Sequence, residues 1–126
     1  MYGIIATWRM ALEGISKADS MLKNNESAAD SIEEAIKAVE DFEYYKSVGY
    51  GGLPNEEMEV ELDAAFMDGD TLEFGCVGGV KDFANPVSIA RSLMHYDANN
   101  FLIGQGAEKY ASRHGFERKT MLTDRA

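Results

Sequence analysis

Apolar and polar positions alternate in several distinct periods along the 126-residue chain. Residues 2–8 close on Ile4-Ile5-Ala6-Thr7-Trp8, short, apolar and β-branched, which predicts a buried strand. Arg9 to Asn24 then follows helical spacing, with Met10, Leu12, Ile15, Ala18, Met21 and Leu22 on one stripe and Gly14 weakening it. The clearest helix runs from about 28 to 42. Ser27 caps it, Ala28, Ala29, Ile32, Ala35, Ile36 and Val39 face inward, and Glu33, Glu34, Lys37 and Glu40 take the opposite face.

Residues 43–58 read as a loop rich in glycine and tyrosine, either a packed arm or the wall of a site. A hairpin follows. Glu59 to Met67 and Thr71 to Val80 are its strands, and Asp68-Gly69-Asp70 supplies the turn. Both strands become apolar on both faces, which predicts a layered fold with cover on each side. Asn85-Pro86 opens a helix to about Tyr96. Phe101-Leu102-Ile103 is a short buried strand, and a last helix starts near Ala107 and stops at His114-Gly115. Four strands buried on both faces have edges that need cover, so a partner polypeptide is expected to supply more strands. Thr123-Asp124 looks like a helix start close to the chain end, which predicts a chain that was cut or processed.

Charge changes the list of partners. With 22 acidic and 12 basic residues the net charge is −10, which repels nucleic-acid backbones and anionic membranes. The single cysteine, Cys76, lies in an apolar run, so a buried core thiol is expected and no internal disulfide can form. No stretch reaches the length of a membrane span, and the start lacks the pattern of a signal peptide, which points to the cytoplasm.

Candidate chemistry is sparse. His95 and His114 lack metal-ligand spacing and read as surface residues. Gly104-Gln105-Gly106, between strand and helix, is a weak anion-site candidate. Ser47 lies in a glycine-rich loop without a histidine nearby, and is as readily a structural tie as a site residue. Asp63 falls mid-strand, where a buried carboxylate must be hydrogen-bonded or functional. Trp8 ends the first strand, where ligands often bind and where core packing is an equal alternative.

Several segments in order resemble one family, the glycosylasparaginase and plant-type asparaginase group of N-terminal-nucleophile hydrolases. They are Thr7-Trp8, the stretch Ser47-Val48-Gly49-Tyr50-Gly51-Gly52-Leu53-Pro54-Asn55, and Val60 to Gly69, close to the family's LDAxxMDG. Gly75 to Val80 through Asn85-Pro86-Val87 to Arg91, and Phe101 to Ala107, follow in the family's order. The resemblance implies an α+β fold, the four-layer αββα sandwich, with residues 1–126 as the alpha-chain portion forming its N-terminal half. It implies a precursor that cleaves itself, a nucleophilic threonine on the beta chain, an assembly of two alpha–beta pairs, a small asparagine-derived substrate and no cofactor or metal. The family's nucleophile motif is absent here: Asp70-Thr71, Thr120 and Thr123 do not match it, and Gln105 stands where the family has an acid. By family position, Trp8 and then Ser47 are the substrate-binding residues. The SVGYGGLPN variant favours a glycosylasparaginase over an asparaginase/isoaspartyl peptidase. A non-catalytic, partner-binding fragment of the same fold is the other reading.

Overall fold

The computed structural model describes residues 1–126. Its elements are a 3-10 turn at Arg9–Ala11, α1 (Leu12–Lys23), α2 (Ala28–Glu40), β1 (Leu62–Met67), β2 (Phe74–Val80), α3 (Pro86–Leu93), β3 (Phe101–Ile103) and α4 (Gly104–Arg113). The fold is a small mixed α/β arrangement of four α-helices and one three-stranded sheet in the order β1-β2-β3, with β1 antiparallel and β3 parallel to β2. No helix is long and apolar enough to cross a membrane.

The two N-terminal helices form as their periodicity predicts, and α2 is capped as expected: Asp30 N–H donates to Ser27 Oγ at 3.0 Å. Gly14 is what lets them pair closely. A Cβ there would stand 2.3 Å from the carbonyl oxygen of Ala35, so the residue that weakens the helix on propensity makes the α1–α2 crossing. Gly75 plays the same part between β2 and α3.

The main core is one cluster under α3 and α4, with Phe66, Val77, Val80, Val87, Leu93 and Tyr110 among its buried members. Val60, Leu62 and Met121 form a smaller cluster beside it. Both strands of the hairpin are shorter than predicted, and burial is one-sided. Leu62, Ala64 and Phe66 of β1 pack on the core, while Asp63, Ala65 and Met67 are exposed. The outer face continues through Phe74, Phe101 and Ile103, which are 43%, 58% and 68% exposed. The expectation of strands buried on both faces is therefore not met within this chain, nor is β3 a buried strand: only Leu102 packs on the core. Cys76 belongs to that outer side and is half-buried rather than a sealed core thiol.

The largest correction concerns residues 2–8. They form no strand, and Ile5 and Trp8 are 94% and 70% exposed. A β-strand exists only as part of a ladder, and this segment meets no strand edge to pair with. It lies instead along α1 and α2, held in part by the Tyr2 hydroxyl donating to Asp19 Oδ1 at 3.0 Å. Three strands, not four, make the sheet. At the other end α4 begins three residues before Ala107, and Gly115 takes the left-handed φ of +84° that stops it, as predicted.

Candidate functional site

The residues singled out by sequence gather on two adjoining grooves. The first is apolar, about 730 Å³, walled by residues 2–8, by Met10, Ala11, Ile15 and Leu22, and by the inner face of α2. Fifteen of its 17 lining residues are hydrophobic, and Trp8 forms part of the wall. The second, about 430 Å³, lies between the end of α2, the loop at 47–49, β1 and the start of α3. Ser47 lines it together with Glu40, Glu61 and Asp63. Ile36, Val39 and Val48 line both, so Trp8 and Ser47 stand on either side of one apolar partition.

The loop that carries Ser47 is held by backbone contacts that only glycine permits. Gly49 and Gly51 have φ of +58° and +77°, and their missing Cβ atoms would collide with the backbones of Glu40 and Glu43. Gly51 N–H donates to the Met121 carbonyl at 2.9 Å, Leu53 N–H to Lys46 at 2.9 Å, and the Lys119 ammonium lies 3.8 Å from the Tyr50 ring centre. The loop is thus a packed wall, fastened at both ends.

Chemically the two grooves can shape and orient a ligand. Neither is lined by a histidine or a lysine, and Ser47 Oγ makes no hydrogen bond, so no base stands ready to activate it. His95 lies near Glu73 at 3.6 Å, and His114 stacks on Tyr110 with ring centres 4.0 Å apart. Both are surface residues away from the grooves. His, Cys, Asp and Glu side chains nowhere gather in groups of three or more able to hold a metal ion.

Asp63 is not buried. It is exposed at the rim of the second groove, where Oδ1 accepts the Gly79 N–H at 2.8 Å. The register slips there between Leu62 and Ala64, so the carboxylate serves the irregular backbone that the strand pairing leaves free. Gln105 lines a separate polar depression with Gly104, Glu61, Lys81 and Glu108, and is not part of either groove.

Glu40 is the residue that the sequence reading misplaced. It is 6% exposed rather than on the solvent face. Burial pushes its carboxyl up to about 7, against the opposing effect of hydrogen bonds from Asn85 and the Val87 N–H. The signal lay in the helical period: Ile32, Ile36 and Glu40 follow at steps of four, which puts Glu40 on the apolar side.

Comparison with known proteins identifies the family. The family model described as Asparaginase matches residues 5–126. An N(4)-(beta-N-acetylglucosaminyl)-L-asparaginase of Elizabethkingia miricola is 34% identical over 120 residues, covering 95% of this chain and 35% of that protein. A plant-type L-asparaginase of Thermococcus kodakarensis is 37% identical over 121 residues, 96% of this chain and 35% of the relative. An isoaspartyl peptidase/L-asparaginase of Rattus norvegicus is 38% identical over 120 residues, 90% of this chain and 36% of the relative. The chain spans about a third of the length of these curated relatives.

Proposed function

Because the chain belongs to the asparaginase family, we propose that residues 1–126 are the alpha-chain portion of an amidohydrolase that cleaves the side-chain amide of asparagine derivatives, glycosyl-asparagine first among them. The second chain, released by self-cleavage of a common precursor, brings the threonine nucleophile, whose own α-amine acts as base. The alpha chain orients the substrate with Trp8 and Ser47. The observation that carries this reading is the pairing of two shaped grooves, with Trp8 and Ser47 on their walls, and no activated nucleophile in either.

The same division of labour accounts for the bare face of the sheet. Helices α3 and α4 cover one side, while Met67, Phe74, Phe101 and Ile103 project from the other. A second sheet stacked about 10 Å away would bury them and turn these layers into the four-layer αββα sandwich. Pairing of residues 2–8 with a strand of the other chain would make them the strand that their composition favours.

The test is made on the full-length precursor. Mass spectrometry is expected to find two chains, the second beginning with threonine, and the mature protein is expected to hydrolyse aspartylglucosamine faster than asparagine or β-aspartyl peptides. Trp8→Ala is expected to raise KM about tenfold or more, the loss of a well-placed aromatic contact. No turnover of any of the three substrates would leave the protein as a non-catalytic binding module.

A further inference from the structure

Three parts of the chain meet on Glu40, the last residue of α2. Asn85 Nδ2 donates to one carboxyl oxygen at 3.1 Å and Val87 N–H to the other at 3.2 Å. The side chain of Asn85 makes no capping bond to its own helix, so the Glu40 carboxyl serves the first turn of α3 in its place. The main-chain carbonyl of Glu40 accepts the Tyr50 N–H at 2.7 Å. Gly49 lies on the same backbone so closely that a Cβ would stand 2.1 Å from the Glu40 carbonyl oxygen and 2.5 Å from its Cα. The Ser47 loop therefore rests on the main chain of Glu40, and the side chain fastens that main chain to α3.

We propose that Glu40 is the positioning residue of the Ser47 loop, a brace that releases the loop only when its carboxyl is carried into water. This deepens the pocket reading above and takes its functional meaning from it. The charged groups around Glu40 are mostly of its own sign. Asp41 follows it at the end of α2 and Glu33 lies two turns back on the same helix, while Glu61 and Asp63 line the shared groove from the β1 side. Arg91 of α3 is committed to Glu33 and Asp30, and no cation pairs with Glu40. Desolvation thus holds the carboxyl partly protonated near neutrality, at about 7. An opening that hydrates Glu40 returns it to the ordinary carboxylate range, so ionisation favours opening. By linkage the opening equilibrium rises about tenfold per pH unit between that ordinary range and about 7, and is level above it.

Hydrogen exchange of the full-length protein, corrected for the intrinsic pH dependence of exchange, reads this directly. Peptides covering residues 47–52 and 85–88 are expected to lose about tenfold in protection from pH 5.5 to 6.5, with little change between pH 7.5 and 8.5. Peptides of α4 are expected to show no such step. Glu40→Gln keeps the shape without the titration and is expected to abolish the step, and Glu40→Asp to restore part of it. A wild-type loop without the step, or a step that survives in Glu40→Gln, would overturn the proposal. The wild-type measurement decides alone if Glu40→Gln does not fold. A protein that shows the step but hydrolyses no asparagine derivative retires the enzyme reading and keeps the brace. One that hydrolyses them without the step retires the brace alone.

Discussion

Gly75 gives a demanding test of the packing. It lies in β2 directly beneath α3, and a Cβ built there would stand 1.9 Å from the Ala90 carbonyl oxygen and 2.9 Å from both Leu93 Cβ and Met94 N. Ordinary contact begins at 3.4 Å, so Gly75→Ala has to drive the middle of α3 off the sheet by about 1.5 Å. The obstacle is backbone, which no rotamer change can move aside. Ile89, Ala90 and Leu93 are all 0% exposed, so the displacement opens the main core along its length. Overpacking costs typically about 1–3 kcal/mol, and a rigid obstacle at the centre of a cluster belongs at or above the top of that range. About 3 kcal/mol corresponds to a melting point lowered by roughly 6–12 °C in a protein of a few hundred residues. The assay is calorimetry of the full-length protein. Gly106→Ala is the companion: its Cβ would meet nothing within 4 Å, and alanine inside α4 is expected to gain about 0.5–1 kcal/mol. A Gly75→Ala protein that melts within ~2 °C of wild type would refute the close approach of α3 to β2.

Two further outcomes follow from the charges. Arg91 binds Asp30 at 2.7 Å and also Glu33, and its guanidinium lies 5.6 Å from the Phe66 ring centre, so it ties α3 to α2 across the core. Arg91→Ala is expected to cost about 1–2 kcal/mol in urea unfolding, with a smaller loss at high salt, and Arg91→Lys to recover only part because the two-armed grip is gone. Glu40 sets a global pH dependence as well. Its folded-state value of about 7 lies above the ordinary 4.5, so its contribution is fully present below about 4.5 and is lost as the pH climbs towards 7. That amounts to roughly 3 kcal/mol, level above pH 7. Glu40→Gln is expected to remove this slope from a plot of unfolding free energy against pH, and an unchanged slope would show that the carboxyl is hydrated.

What could be read from the sequence, and what could not, divides on whether the determinant is local. The α2 helix was legible because Ser27 and the three-four spacing act within one element. The Asp68 turn was legible for the same reason: its carboxylate accepts the Asp70 N–H at 2.8 Å, two residues away. Gly14 counts against α1 on propensity, a property of one residue, whereas its use is set by Ala35 on another helix, which the local pattern does not reveal. Charge alone puts Glu40 on the solvent face, whereas its spacing from Ile32 and Ile36 puts it inside, and Asn85 and Val87, more than forty residues on, supply its partners.

Residues 2–8 and the outer face of the sheet fail in the opposite sense, and together they are the most informative misses. Their composition is that of buried strands, yet Ile5, Trp8, Phe101 and Ile103 are among the most exposed apolar residues of the chain. A pattern that fits burial on a fold that does not supply it is a local–global conflict, and such conflicts are selected against unless a partner resolves them. The conflict sits along the apolar groove that carries Trp8 and on the face of the sheet that bears no helices. Under the proposed function both surfaces are the ones that the second chain is expected to cover, and solvent accessibility of Trp8 and Phe101 in the full-length protein, read by oxidative footprinting, is expected to be low; strong labelling of both would count against that cover.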